Sequence, residues 1–219
     1  MMRPIFVTGT GTDVGKTHIL CAMLEAHRKA GGKARVMKPV ISGFDPARLN
    51  ETDTIRLMRA NGDTLNGEGV QAVSPFRFKA PLSPDMAAYR EHRELTIETV
   101  VNWCLDRIDR AVPTIIEGAG GVMSPLTMDG LNLDLIQELD ARPILVTGAY
   151  LGAISHTLTA LRVMDRSCAV IVNDWKASPV PAVDTARSIQ RFAPRADVRV
   201  FSGDASNLLD LLTREDAPA

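Results

Sequence analysis

The strongest chemical signal in this sequence is the run Gly9-Thr10-Gly11-Thr12-Asp13-Val14-Gly15-Lys16-Thr17. Glycines at this spacing let the backbone fold so that its N–H groups converge on an anion. The start of a following helix adds partial positive charge. In such a loop Lys16 neutralises β- and γ-phosphate charge, and the Thr17 hydroxyl is a ligand for Mg²⁺. The common phosphate-loop pattern has four residues between its first glycine and Gly-Lys-Thr. Here Thr10 stands at that first position and Gly9 lies one residue upstream. A tight turn capping an ordinary helix is the competing explanation, and the strand, Gly-Lys-Thr and helix all in register argue against it.

A Mg²⁺ with one hydroxyl ligand also needs carboxylates and water. Glu117 follows the apolar run Val112 to Ile116 and leads into Gly118-Ala119-Gly120-Gly121, a loop able to bring backbone N–H groups close to a ligand. A carboxylate between an apolar strand and a glycine loop needs a buried partner. Asp53 closes Glu51-Thr52-Asp53 just before a helical stretch, and serves there either as a metal ligand or as a helix-start acid. Lys38, in Val36-Met37-Lys38-Pro39-Val40-Ile41-Ser42-Gly43, sits at the end of a second strand. With Lys16 it could form a pocket for a second anion; otherwise it is a solvated surface charge, the usual fate of lysine.

These residues need a sheet edge to hold them. Ile5-Phe6-Val7, Ala34 to Met37, Val112 to Ile116, Pro143 to Val146 and Cys168 to Val172 read as strands, with Val198 to Phe201 as a last, edge strand. Helical periodicity runs from Thr17 to about Ala30, Leu95 to Arg110, Leu133 to Leu139, Ile154 to Met164 and Val183 to Phe192. Gly31-Gly32 ends the first of these. Near-continuous apolar strands separated by helices predict an α/β fold: one domain, a mostly parallel sheet and helices on both faces. Ligands then bind at the C-terminal ends of the strands. Two stretches break the rhythm. Ile41 to Thr52 and Ala60 to Pro84, rich in Gly, Pro, Asn and Asp, read as long functional or mobile loops. The domain is expected to span residues 1–213, with 214–219 as a flexible tail.

Composition narrows the function classes. The 219 residues carry 25 Lys plus Arg against 26 Asp plus Glu, a formal net charge of −1, so no broad basic field is present to hold nucleic acid. With 45% hydrophobic and 23% charged residues this is an ordinary globular mix. Apolar runs are far short of the roughly 20 residues of a membrane span. Cys21, Cys104 and Cys168 are far apart and odd in number, which favours a reduced, cytoplasmic setting over a disulfide framework or metal site.

Taken in order, Phe6-Val7-Thr8-Gly9-Thr10 through Val14-Gly15-Lys16-Thr17, Lys38-Pro39-Val40, Ser42-Gly43, Asp53, Pro81-Leu82-Ser83-Pro84, Glu117-Gly118-Ala119-Gly120-Gly121, Leu151-Gly152 with Ser155-His156, and Val172-Asn173-Asp174 resemble the dethiobiotin synthetase family. The resemblance covers roughly residues 3–175, and that family places five residues between the first glycine and Gly-Lys-Thr, as here. It implies a P-loop NTPase-like fold and an ATP-dependent carboxylase and cyclo-ligase acting on 7,8-diaminononanoate and CO₂. It also implies roles. Thr12, Asp13, Val14, Gly15, Lys16, Thr17, Glu117, Gly118 and Gly120 would hold the nucleotide, with Asn173 at the adenine edge. Thr17, Asp53 and Glu117 would hold Mg²⁺. Lys38, with Lys16 and Thr17, would carry the catalysis, and Lys38, Ser42 and Gly121 would bind the carbamate and substrate. Leu151, Gly152 and Ser155 match the helix start that takes the substrate's carboxylate across a homodimer interface.

The sequence departs from the family pattern at a few positions. Asp85 stands where a His often follows the Ser-Pro, Ser155 where an Asn can occur, and Asp13 where a Glu is common. His156 is expected to orient the interface or to pack. Trp103 and Trp175 read as core or interface aromatics, Arg90, Arg93, Arg107 and Arg110 as a solvated face, and Cys21 and Cys104 as small core residues. Two other readings compete. A nucleotide switch of the partitioning or cell-division-site type would carry a lysine where Gly11 stands, and a membrane or DNA surface besides. A nucleotide kinase or another amidoligase shares the fold, but a kinase needs an Arg-rich lid.

Overall fold

The computed structural model describes residues 2–109, 111–174, 178 and 180–214. Expectations for Arg110, Trp175 and residues 215–219 of the tail therefore lie outside the described residues.

The chain opens with β1 (Ile5–Gly9), whose residues are all buried, then turns through the glycine loop into α1 (Lys16–Lys29). β2 (Arg35–Met37) and the short β3 (Val40–Ile41) follow. Next come α2 (Asp53–Asn61), α3 (Gly67–Val73), β4 (Phe76–Arg77), α4 (Pro84–Arg90) and α5 (Ile97–Leu105). β5 (Thr114–Glu117), α6 (Asn132–Glu138), β6 (Arg142–Gly148) and α7 (Ala153–Met164) continue the alternation. The described chain closes with β7 (Ala169–Asn173), α8 (Ala182–Phe192), β8 (Asp197–Phe201) and the short α9 (Asp210–Thr213).

Six strands form one sheet in the order β2-β5-β1-β6-β7-β8, and every pairing is parallel. The alternation of strand side chains sorts the core into two layers. Ile5, Val7, Val36, Ile115, Ile144 and Val146 face one side, against Ile19, Leu20, Met23 and Leu24 of α1. Phe6, Met37 and Ile116 face the other, against Val100, Val101, Leu135 and Ile136. This is the predicted α/β fold, with β8 at the sheet edge.

The structure corrects the reading of Ile41 to Thr52 and Ala60 to Pro84 as two long loops, while α2 between them is the helical stretch expected at Asp53. Those two stretches contain a short 3-10 helix (Pro46–Glu51), α3, the start of α4 and a second, two-stranded parallel sheet, β3 with β4, pairing Val40 with Phe76 and Ile41 with Arg77. These elements are seven to nine residues or shorter, and their turn-forming residues outweigh any periodicity a sequence window can detect. Two further boundaries move. The helix expected from Leu95 to Arg110 stops at Leu105, where Asp106 caps it. The strand expected to end at Ile116 runs through Glu117, so this carboxylate belongs to the strand itself. Arg93 and Arg107 are also more than a solvated face. Their guanidinium groups lie 4.6 Å from the Phe78 ring centre and 4.5 Å from that of Trp103.

Candidate active site

The glycine loop is shaped by steric demands that can be read residue by residue. A Cβ on Gly9 would lie 2.8 Å from Val14 Cγ2, so only glycine lets the loop close on itself. Gly15 adopts φ 96° immediately before α1, and Asp13 adopts φ 58°, a left-handed conformation that a short acidic side chain tolerates better than most. The first turn of α1 contains no acidic side chain, so its free N–H groups and dipole remain available to an anion. Lys16 bends back over the loop and donates to the Gly11 carbonyl at 3.0 Å.

Beside the loop, the ends of β2 and β5 and the starts of α1 and α2 bring four side chains into one hydrogen-bonded set. The Thr17 hydroxyl donates to Glu117 Oε1 at 2.7 Å. Lys38 Nζ donates to the same Glu117 oxygen at 2.5 Å and to Asp53 Oδ2 at 2.8 Å. Asp53 is the first residue of α2; Thr52, not Asp53, caps that helix by accepting from the Ile55 N–H. Lys38 is held in place from behind, since its N–H donates to Val73 O and the Phe76 N–H donates to Pro39 O, which joins β3 to β4. Gly43 then turns with φ 69°, and its N–H donates to Ala80 O, setting the 81–84 segment against the Ser42-Gly43 turn.

Lys38 is 5% exposed and Glu117 1%, so the charges here are desolvated. Burial alone would lower the Lys38 pKa; the carboxylates of Glu117 and Asp53 outweigh it and hold the ammonium above its ordinary range. Burial would raise the Asp53 pKa, but Lys38, then Arg56 and Thr17, hold the carboxyl below the usual range. Lys16 goes the other way. Its own burial, with the neighbouring Lys38 charge, depresses its pKa despite Glu117, Asp53 and Asp13. An incoming polyanion would relieve that penalty.

The donor set suits a hard divalent cation. It consists of two carboxylates and a hydroxyl, all oxygen, and Glu117 Oε2 is buried with no hydrogen-bond partner. Among the described residues no group of three or more His, Cys, Asp or Glu side chains could hold a metal. The remaining ligands would therefore be water and phosphate oxygens, the usual habit of Mg²⁺.

One cleft of about 330 Å³ brings together Thr12, Asp13, Gly15, Lys16, Thr17, Lys38, Ser42, Asp53, Glu117 and Gly120. A larger hollow of about 700 Å³, walled by Leu161, Cys168 and Phe192, lies at the opposite edge of the sheet and contains none of the predicted residues. Residues 3–205 match a family described as an AAA domain. An ATP-dependent dethiobiotin synthetase of Caulobacter vibrioides is 42% identical over 220 residues, covering 96% of this chain and 99% of the relative. The enzyme of the same description from Phenylobacterium zucineum is 44% identical over 195 residues, 86% and 82% of the two chains.

The chain belongs to the ATP-dependent dethiobiotin synthetase family. Among solved structures, the signal recognition particle receptor FtsY of Elizabethkingia anophelis with GDP aligns over 87% of this chain and 55% of its own, at 13% identity and a TM-score of 0.48.

The remaining residues of the family expectation lie outside the main cleft's lining. Val14 lines a neighbouring, mostly apolar hollow with Thr10, Gly11, Tyr150 and His156. Asn173 ends β7, is 2% exposed, and donates from Nδ2 to Val14 O at 3.2 Å. Gly118 and Gly121 do not line the main cleft. A Cβ on Gly118 would meet Asn132 Oδ1 and the Phe6 ring at 2.7 Å, and one on Gly121 would meet the Gly11 backbone N and Gly9 O at 3.2 Å. Leu151, Gly152 and Ser155 form an exposed helix start away from that cleft, with Leu151 92% exposed and Gly152 at φ 98°. His156 accepts or donates through Nδ1 to the Tyr150 hydroxyl at 3.0 Å, within reach of Thr10 of the glycine loop.

Sequence reasoning missed Asn132. This buried side chain donates to Ala119 O at 2.6 Å and Gly121 O at 2.8 Å, fixing the glycine loop after Glu117. Ser124 Oγ accepts from the Gly121 N–H at 2.7 Å and secures the other side. An asparagine opening a helix carries no such signal in sequence, because its partners lie more than ten residues away. Arg56, one turn beyond Asp53, was also missed; it lines the cleft with a guanidinium nitrogen 3.6 Å from Asp53 Oδ1.

Proposed function

We propose that this chain is an ATP-dependent dethiobiotin synthetase, converting 7,8-diaminononanoate, CO₂ and ATP into dethiobiotin, ADP and phosphate. The observation that carries the reading is the convergence of Lys16, Thr17, Lys38, Asp53 and Glu117 on one cleft, in a chain 42% identical to such an enzyme over 96% of its length.

The chemistry explains the residue types. One substrate amine attacks CO₂ and loses a proton, giving a carbamate. A carbamate oxygen attacks the γ-phosphorus and ADP leaves. The neighbouring amine then attacks the carbonyl carbon of the mixed anhydride, phosphate departs, and the cyclic urea closes. Carbamate and triphosphate repel each other; at about 4 Å a like-charge pair costs ~4 kcal/mol at an effective dielectric of 20. We assign the carbamate to Lys38 with Ser42 and its bridge to the γ-phosphate to Lys16, so that both oppose that repulsion where charge develops. The loop of Thr12, Asp13 and Gly15 holds the phosphates in line with the attacking oxygen. Thr17, Asp53 and Glu117 would hold Mg²⁺, which when bound offsets phosphate charge as a Lewis acid.

Asn173 suits the adenine edge. With Nδ2 engaged on Val14 O, its Oδ1 is left to accept from an exocyclic amino group, which adenine has and the corresponding edge of guanine lacks. The exposed start of α7 at Leu151-Gly152 presents free N–H groups, and we assign it to the substrate's carboxylate in a homodimer, each copy completing its partner's site. Residues 1–213 act as the single catalytic domain. Three unpaired cysteines fit a reducing cytoplasm, and no helix among the described residues is long and apolar enough to cross a membrane.

The test is phosphate release from Mg-ATP and bicarbonate, with and without 7,8-diaminononanoate, followed by mass analysis of the product. Substrate-dependent release with the product gaining one carbonyl is expected. Folded protein that binds ATP yet shows no stimulation by diaminononanoate overturns the reading. Stimulation by DNA or lipid instead would make it a nucleotide switch.

A further inference from the structure

The bonding around Glu117 has a feature that the assigned roles do not explain. Lys38 is expected to serve the reacting anion, yet its ammonium is committed to the two carboxylates expected to serve the metal. It donates to Glu117 Oε1, the oxygen that also receives the Thr17 hydroxyl, and to Asp53 Oδ2. Both carboxylates proposed for the cation thus bind one lysine nitrogen, and Thr17 joins the set through Glu117. That lysine is 5% exposed, while Glu117 Oε2 is buried without a partner. Within the hydrogen-bonded set two carboxylates share the one ammonium, with the Arg56 guanidinium 3.6 Å from Asp53 Oδ1 at its edge.

We propose that Lys38 is a tethered stand-in for the divalent cation. In the free protein its ammonium keeps the carboxylate pair assembled, and cation binding at Thr17, Asp53 and Glu117 displaces it into the cleft lined by Ser42 and Lys16. The proposal rests on the metal reading given above and deepens it. Two carboxylates neutralised by a doubly charged ion no longer need the ammonium. Its side chain is long and its four-carbon stem can swing without moving the backbone, which the Val73 and Phe76 contacts fix. Metal loading and delivery of the lysine to the anionic substrate become one event. A protein without metal would hold the lysine back from any substrate that arrived early.

The inference predicts competition that can be read without turnover. Mn²⁺ binding to the full chain at pH 8, followed by loss of the free-ion electron paramagnetic resonance signal, is compared in wild type, Lys38→Met, Lys38→Arg, Asp53→Asn and Glu117→Gln. Lys38→Met should bind Mn²⁺ about tenfold or more tightly than wild type, because the competing charge has gone. Lys38→Arg retains a cation and should show no such gain; it also guards against a general loosening of the site. Lys38 should be protected from amine acylation in the free protein and should react faster once Mn²⁺ is added, as read by peptide mass analysis of the wild-type chain.

The two readings fail differently. If Asp53→Asn and Glu117→Gln leave Mn²⁺ binding unchanged, the metal reading itself is wrong. If they weaken it while Lys38→Met brings no gain, the metal site stands and the stand-in role of Lys38 is overturned. Failure of both wild type and Lys38→Met to bind Mn²⁺ measurably also overturns it, since removal of the lysine would not have opened the site. Lysine labelling that ignores Mn²⁺ in the unaltered protein decides against the proposal even if Lys38→Met proves poorly folded.

Discussion

Two charge networks in this molecule look alike in a drawing of bonds and differ in kind. Near the C-terminal end of the described chain, Arg199 and Arg214 alternate with Asp197 and Asp210. Arg199 pairs with Asp197 at 2.7 Å and Asp210 at 2.5 Å, and Arg214 with the same two at 3.0 and 2.6 Å. Two positive charges meet two negative ones, and the two aspartates sit partly in solvent. At the cleft, Lys38 binds both the buried Glu117 and the one-third exposed Asp53, Arg56 reaches Asp53 Oδ1 at 3.6 Å, and one Glu117 oxygen is left unpaired. The first network is balanced and needs nothing further. The second is organised at a cost in desolvation and still leaves one buried carboxylate oxygen without a donor. Its incompleteness is what marks it as a site, because a purely structural network gains nothing from an orphaned oxygen.

The largest test of that distinction is on turnover. Lys38→Ala is expected to retain ATP binding and to lose activity by about a hundredfold or more, as when a charge aimed at the reacting group is removed. Arg199→Ala should leave activity nearly untouched. Nucleotide binding and diaminononanoate-dependent phosphate release on the same preparations provide the check. Normal turnover in Lys38→Ala would erase the functional half of the comparison.

Stability separates the networks next. Glu117→Gln removes one partner of a buried pair and leaves Lys38 with only Asp53, which should cost about 3–5 kcal/mol. Asp210→Asn acts where water and salt already screen the charges, and should cost less than about 1 kcal/mol. Urea denaturation of both variants measures the difference. Similar losses would mean that burial does not distinguish the two sets.

How legible this was in the sequence follows from range. The glycine loop, Lys16 and Thr17 are contiguous, and the physics that shapes them acts within a few residues. Strands such as Ile5–Gly9 and Ala169–Asn173 were legible because burial on both faces makes them apolar throughout. Glu117 and Lys38 could be placed at a binding edge because parallel strands put all their C-terminal ends on one side. Their mutual hydrogen bond could not, since 79 residues separate them. Nor could Asn132, whose importance lies in two carbonyls of a loop it does not adjoin. The short elements between residues 41 and 84 were hidden for another reason. β3 and β4 are two residues each and exist only because they pair with one another.

Asn132 extends the comparison from charge to neutral support. Asn132→Ala abolishes two hydrogen bonds from a fully buried donor and leaves two buried carbonyls with a lost partner. A cost of about 1–3 kcal/mol is expected, with activity reduced through disorder of residues 118–121 beside Glu117. Thermal melting and the kcat of the folded fraction test it. Asn132→Asp should not rescue, because a carboxylate cannot donate to either carbonyl.

The smallest expected effect concerns pH and salt. The Asp53 carboxyl is held below its ordinary value of 3.8 in the folded protein; burial opposes this, but Lys38, Arg56 and Thr17 outweigh it. A depressed folded pKa means that the contribution is present above about 3.8 and fades as pH falls through the folded value. Lys38 is raised above its ordinary 10.5 by Glu117 and Asp53, against its own desolvation, so its contribution is present below that value and fades as pH rises through the folded one. Between these limits the cleft network should give a flat stability profile. The carboxyls of Asp197 and Asp210 are also depressed, chiefly by hydrogen bonds from Arg199, so both networks weaken in acid. Salt tells them apart. At 1 M the screening length is about 3 Å, which weakens charges in contact with solvent and reaches buried ones far less. The acid-limb difference between wild type and Asp210→Asn should therefore shrink more in 1 M NaCl than that between wild type and Asp53→Asn, since the Asp210 side chain is 52% exposed and that of Asp53 34%. Equal shrinkage of both would show that the cleft carboxylates are as open to ions as the surface pair, and the contrast drawn between the two networks would fail on its physical premise.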